Sequence, residues 1–264
     1  MKNRLIGGVI VGIITLITLF SGGIVSAVIL MCISLIGVYE FLKVFSLQKS
    51  AFSVVNYLAT VLLYAFLYLG KNNFMFPLVL FVMLLSLAVY VVAFPKYKDT
   101  DMVKAFFGFL YAGVLLSYVF RIRSMEDGLW LSFFILISSW INDIFAYFVG
   151  SAIGKHKFSP KVSPNKSVEG FVGGVFGAGF IGFLYAVVFA DSVPFSGLYC
   201  AIIAALGAIP AVIGDLAASA IKRDNGIKDY SNLIPGHGGM IDRIDSVLFT
   251  APIIYYLVEL FNIL

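Results

Sequence analysis

Charge is scarce in this chain: Asp, Glu, Lys and Arg make up 12% of its 264 residues, about half the share expected of a soluble domain. Cysteine is almost absent too. Cys32 and Cys200 lie in separate apolar runs with no partner at metal-ligand spacing, which argues against a zinc site or a disulfide framework. No polar stretch is long enough to form a sizeable soluble domain. Strict apolar–polar alternation is also missing, which excludes the strands of a transmembrane barrel.

What remains is hydrophobic, at 61% of residues, with a mean hydropathy of +1.02. A helix needs about 20 mostly apolar residues to cross a hydrocarbon core. Nine runs meet or approach that length: 5–20, 24–41, 54–69, 74–94, 103–120, 129–149, 171–189, 198–221 and 247–264. Lipid offers no partner to an exposed peptide group, so the spans must be helical. The expected fold is all-α, a polytopic transmembrane bundle of about nine helices. The first run resembles a signal peptide, but the next begins almost at once, so it reads as a retained helix.

Positive charge sets the orientation. With the N-terminus in the cytoplasm, the 18 Lys and Arg residues gather on the cytoplasmic side except Lys71, Arg121 and Arg123. The longest polar loops, 150–169 and 222–246, then share the cytoplasmic face. Residues 1–128 read as a lipid-facing scaffold and 129–264 as the region that carries chemistry.

Two acids fall inside spans, where charge is costly and usually functional. Asp143 stands beside Asn142, with Tyr147 and Gly150 on its helical face; Asp215 shares a face with Ser219 and Lys222. A structural carboxylate is the alternative for each. Glu40 and Glu259, nearer span ends, read as structural. Pro210 and Pro252 interrupt helix hydrogen bonding. Gly170, Gly174, Ala178 and Gly182 recur every four residues, a spacing for close helix contact within one chain or in a homodimer.

The densest signal runs from Ser219 to Ser246: SAIKRDNGIKDYSNLIPGHGGMIDRIDS. Lys222, Arg223, Lys228 and Arg243 can neutralise a polyphosphate. Gly236, Gly238 and Gly239 allow backbone amides to approach phosphate. Asp242 and Asp245, three residues apart where the last helix should begin, offer hard oxygens suited to Mg²⁺, and Asp215 can add a third carboxylate. An acidic helix start favoured by the helix dipole is the simpler account of the two acids, but it leaves the glycines and cations unexplained.

This run resembles the signature of the phosphatidate cytidylyltransferase, or CDP-diacylglycerol synthase, family through Ser219, Lys222, Arg223, Lys228, Asp229, Pro235, His237, Gly238, Gly239, Asp242, Arg243 and Asp245. A second stretch is similar to the same family: Asp143, Ala146, Tyr147, Gly150, Gly154 and Lys155, then SPNKSVEG, where Asn165, Lys166, Ser167 and Glu169 are candidate nucleotide or phosphate contacts. The resemblance implies that CTP and phosphatidic acid give CDP-diacylglycerol and diphosphate with Mg²⁺, with or without a second cation. It implies a catalytic group of Asp215, Lys222, Arg223, Lys228, His237, Asp242, Arg243 and Asp245, with metal on Asp215, Asp242 and Asp245. Substrate contacts would come from Asp143, Ser219, Asp229 and the glycines.

The expected setting is a bacterial inner membrane with the site facing the cytoplasm and no nucleic-acid partner. A CDP-alcohol phosphotransferase needs a D-G-x-x-A-R run, and Asp127-Gly128 is followed by no alanine–arginine pair. A CTP-dependent kinase of a lipid alcohol would differ only in its product. An ion-coupled transporter would use the intramembrane acids, but helical transporters commonly show two related halves, and here the polar loops crowd into the second.

Overall fold

The computed structural model describes residues 2–234 and 236–263, with side chains described from Gly7 onward. Pro235 of the glycine–histidine loop lies outside the described residues, as do Met1 and Leu264. Eight helices among the described residues are long and apolar enough to cross a membrane, and a shorter apolar stretch, Gly7–Ser21, precedes them. That stretch belongs to α1 (Lys2–Ser21). The eight are α2 (Gly23–Val44), α3 (Ala51–Tyr68), α4 (Asn72–Val92), α5 (Asp99–Arg123), α6 (Gly128–Ile153), α7 (Val168–Val188), α8 (Gly197–Asp224) and α9 (Ile241–Ile263).

Each apolar run of the sequence falls on one helix, and local chemistry sets several boundaries. Ser50, Ser167 and Ser196 precede α3, α7 and α8, and each hydroxyl accepts a hydrogen bond from a first-turn amide, satisfying a donor that the helix cannot. Two features escaped the hydropathy reading. One π turn interrupts α5 at Phe109–Val114 and another interrupts α6 at Ile137–Ile141. The segment read as a polar loop at 150–169 begins as the end of α6 and closes into an antiparallel hairpin of β1 (Lys157–Ser159) and β2 (Ser163–Ser167). Pro210 and Pro252 both lie inside helices that continue past them.

The chain divides into two compact units, Met1–Arg121 with Asp229–Arg243, and Ile122–Lys228 with Ile244–Leu264. In the first, α2 packs on α3 and on the π turn of α5. Val38, Leu42, Phe52, Ala105 and Ala112 form a buried core there. Polar groups inside it are paired: Asn56 Nδ2 donates to the Ala105 carbonyl at 2.6 Å, and the Ser34 and Tyr64 hydroxyls share a bond of 2.8 Å.

In the second unit α7 packs on both α6 and α8. A Cβ at Gly174 would collide with Asn142 of α6; one at Gly182 would lie 2.6 Å from the Ala204 Cβ of α8. The four-residue stripe of small side chains is therefore used within the chain and supplies no argument for a homodimer. Large apolar side chains point outward elsewhere on α7, with Phe176 75% and Val188 70% exposed. Such exposure is unfavourable in water and unremarkable in lipid.

Candidate active site

The second unit gathers the residues of the Asp143–Gly170 stretch around one cavity of about 240 Å³. Asp143, Ala146 and Tyr147 reach it from α6, Ser163, Asn165, Lys166 and Ser167 from β2, Gly170 and Phe171 from α7, and Val212 from α8. The hairpin explains the grouping. Folding back on β1, it carries Asn165 and Lys166 toward the face of α6 that bears Asp143. The Lys166 ammonium pairs with Asp215 Oδ2 of α8, and Asp143 is near enough for its charge to interact with both groups. Ser219, one turn beyond Asp215, donates its hydroxyl to Asp215 Oδ1 at 3.4 Å.

Two expected substrate contacts do structural work in this arrangement. Glu169 accepts the backbone N–H groups of Lys155 at 3.1 Å and His156 at 3.2 Å, and pairs with His156 Nδ1 at 2.6 Å. It thereby ties the end of α6 to the start of α7. The Ser167 hydroxyl accepts the Gly170 amide at 3.1 Å while also lining the cavity. The cations of the last turn of α8 diverge, with Lys222 buried and Arg223 exposed. Lys228 is exposed as well.

α8 and α9 meet closely in the same unit. A Cβ on Gly214 would strike the Asp245 carbonyl oxygen and press on Phe249, so glycine is what lets the two backbones touch. The chain neighbour Asp215 is thus brought beside the first turns of α9, where Asp245 Oδ1 accepts the Ser246 amide at 2.8 Å.

In the first unit, residues 229–241 wind around two carboxylates. Asp242 Oδ2 accepts the amides of Tyr230 and Gly239, both at 2.9 Å, and the residue is only 7% exposed. The Gly239 amide, expected to face phosphate, is therefore already taken. Ile234 and Gly238 close a tight turn, the Ile234 amide donating to the Gly238 carbonyl at 2.9 Å. Gly236 and Gly238 sit at φ of 77° and 80°, the left-handed region that side chains avoid. Asp229 packs beside Gly238. His237 lies in the turn with Nδ1 buried and unpartnered among the described residues; the same holds for Arg243 Nε.

The second carboxylate is Glu40 of α2, 1% exposed. It accepts the Ser231 hydroxyl at 2.5 Å and the Met240 and Ile241 amides at 2.9 Å each. Sequence reasoning gave it only a structural place near a span end. Its contacts lie some two hundred positions away along the chain, where no spacing rule reaches.

Comparison with known proteins decides the family. The model of the cytidylyltransferase family matches residues 2–261. The chain belongs to that family. It is 31% identical to a phosphatidate cytidylyltransferase of Bacillus subtilis over 270 aligned residues, covering 99% of both chains. Phosphatidate cytidylyltransferases of Aquifex aeolicus and Thermotoga maritima are 37% and 44% identical over shorter stretches, covering 62% and 46% of this chain and 60% and 46% of theirs. Membership in an enzyme family sets aside the transporter reading.

Among the described residues no three His, Cys, Asp or Glu side chains are grouped tightly enough to hold an ion by themselves. The donors available to a cytidylyltransferase here are nonetheless hard oxygens from neighbouring helices, Asp215 of α8 and Asp245 of α9. Mg²⁺ binds in this way, through one or two carboxylates completed by substrate phosphates and water.

Proposed function

We propose that this chain is a phosphatidate cytidylyltransferase, transferring the cytidylyl group of CTP to phosphatidic acid at the cytoplasmic face of a bacterial inner membrane. The observation that carries the reading is the match along 99% of the chain to a relative of that name. The cavity lined by Asp143 and Lys166 supports it, with Lys166 paired to Asp215, as does the concentration of Lys and Arg on one side of the spans.

An oxygen of the phosphatidate phosphate attacks the α-phosphorus of CTP; a new P–O bond forms, the α–β bridge breaks, and diphosphate departs. The nucleophile is already anionic at neutral pH, so no general base is needed, and the protein's task is alignment and charge neutralisation. Lys166 is the cation placed in the cavity, and its partner Asp215 holds it until a phosphate competes for it. Arg223 and Lys228 are exposed and free to close on the triphosphate. Lys222 and Arg243 add positive charge from the ends of α8 and α9. His237 serves as a hydrogen-bond donor to phosphate.

Asp215 and Asp245 are the carboxylates that would hold Mg²⁺, while Asp242 orders its own loop through the Tyr230 and Gly239 amides. Bound there, the ion would supply further neutralisation of the transferring phosphoryl oxygens.

The test is a product assay. Purified protein in phosphatidate-containing vesicles, given labelled CTP and Mg²⁺, forms CDP-diacylglycerol, identified by mass spectrometry. Chelation stops the reaction, and Asp242→Asn lowers turnover by about 100-fold or more, the scale of losing one electrostatic group at a transfer site. Appearance of CDP with a phosphorylated lipid alcohol would instead mark a kinase.

A further inference from the structure

Burying a carboxylate is costly unless hydrogen bonds replace its water. Glu40 meets that condition in one way only: no lysine or arginine among the described residues pairs with it, and its bonds come from Ser231, Met240 and Ile241. Two of these donors are amides at the start of α9, where the helix dipole favours an anion. The docking is close as well as charged. A Cβ on Gly239 would fall 2.7 Å from Glu40 Oε1, so the motif glycine leaves room for the carboxylate.

The grip of Glu40 alternates along the chain with that of Asp242. Tyr230 donates to Asp242 and the next residue, Ser231, to Glu40; Gly239 donates to Asp242 and the next two residues to Glu40. Loosening one carboxylate must therefore shift the segment that orients the other. Met240 and Ile241, moreover, immediately precede Asp242 and Arg243.

We propose that Glu40, on a helix of the first unit that bears none of the motif residues, is a positioning residue for the transfer reaction, holding residues 231–241 so that Asp242 and Arg243 are presented in register. The inference rests on the function proposed above. Glu40 touches no substrate in this role; it acts through the loop. A displacement of about 1 Å in a catalytic group costs on the order of 100-fold in rate, and that is the scale expected on losing the carboxylate.

The experiment uses the full chain in phosphatidate vesicles with CTP and Mg²⁺, comparing the parent with Glu40→Ala and Glu40→Gln. Glu40→Ala lowers kcat by about 100-fold with KM for CTP changed by less than roughly threefold, the pattern of lost alignment rather than lost binding. Glu40→Gln keeps one acceptor oxygen and recovers at least roughly tenfold of that loss. Amide hydrogen exchange across 231–241 quickens in the order parent, Gln, Ala, while peptides from α6 to α8 keep the parent's rates.

A Glu40→Ala kcat within threefold of the parent overturns the proposal. So does a rate loss with unchanged exchange at 231–241, or faster exchange throughout the chain with Gln no better than Ala. An inactive parent overturns the proposed function instead, and the exchange arm then decides alone whether Glu40 orders the loop.

Discussion

Asp215 and Lys166 show what one residue pair contributes. A carboxylate on a membrane-spanning helix needs a partner, and Lys166 supplies it from the hairpin. Both ends of the pair are partly exposed, at 25% and 35%, so its value lies in placement more than in stability. Because each holds the other, Lys166→Ala and Asp215→Asn are each expected to lower turnover by about 100-fold, and the double variant by no more than the worse single one. Losses that multiply across the two sites would show that they act independently. Both residues stood out in the sequence, Asp215 for its charge in an apolar run and Lys166 for its motif. Their pairing did not, since it depends on the hairpin and on the packing of α8 beneath it. Glu40 was less legible still: a glutamate near a span end looks like one reaching for the interface, and only its burial and three donors reveal otherwise.

At the level of elements, hydropathy located the helices, because lipid imposes the same length on each span. It could not locate the π turns of α5 and α6, where one extra residue per turn leaves composition unchanged. The hairpin at 157–167 was hidden for a related reason, being short, polar and paired only with itself. Close packing of α7 was visible as a stripe of small residues, but whether it faced its own chain or another copy was not. Gly182→Val tests that packing. Its Cβ would meet Ala204 at 2.6 Å and the Cys200 carbonyl at 2.7 Å, and overpacking of this kind costs about 1–3 kcal/mol. The thermal midpoint in detergent is expected to fall by roughly 2–4 °C for each kcal/mol. Gly12→Ala, with nothing within 4 Å of the added Cβ, is expected to leave the midpoint unmoved. An unchanged midpoint for Gly182→Val would show that α7 and α8 are not in the contact described.

At the scale of the whole molecule, the positive-inside rule sets the expected orientation in the bilayer. With Cys32 and Cys200 replaced, a cysteine at Lys71 is expected to react with a membrane-impermeant maleimide in intact cells, and one at Lys157 only after permeabilisation. Both positions are exposed in the structure, and they fall on opposite sides under the positive-inside rule. The reverse pattern would invert the orientation and move the proposed site to the other face.

Composition and charge order along the chain by themselves determined that this is a helical membrane protein and roughly how many helices it has. Those properties follow from the solvent and from local residue types. Tertiary structure decided the cavity of Asp143 and Lys166 and the pairing of Lys166 with Asp215, the contact between Gly214 and Asp245, and the placement of 229–243 with the N-terminal helices. Each depends on groups far apart in sequence being held at hydrogen-bonding or van der Waals distance, and no hydropathy or spacing pattern encodes such proximity.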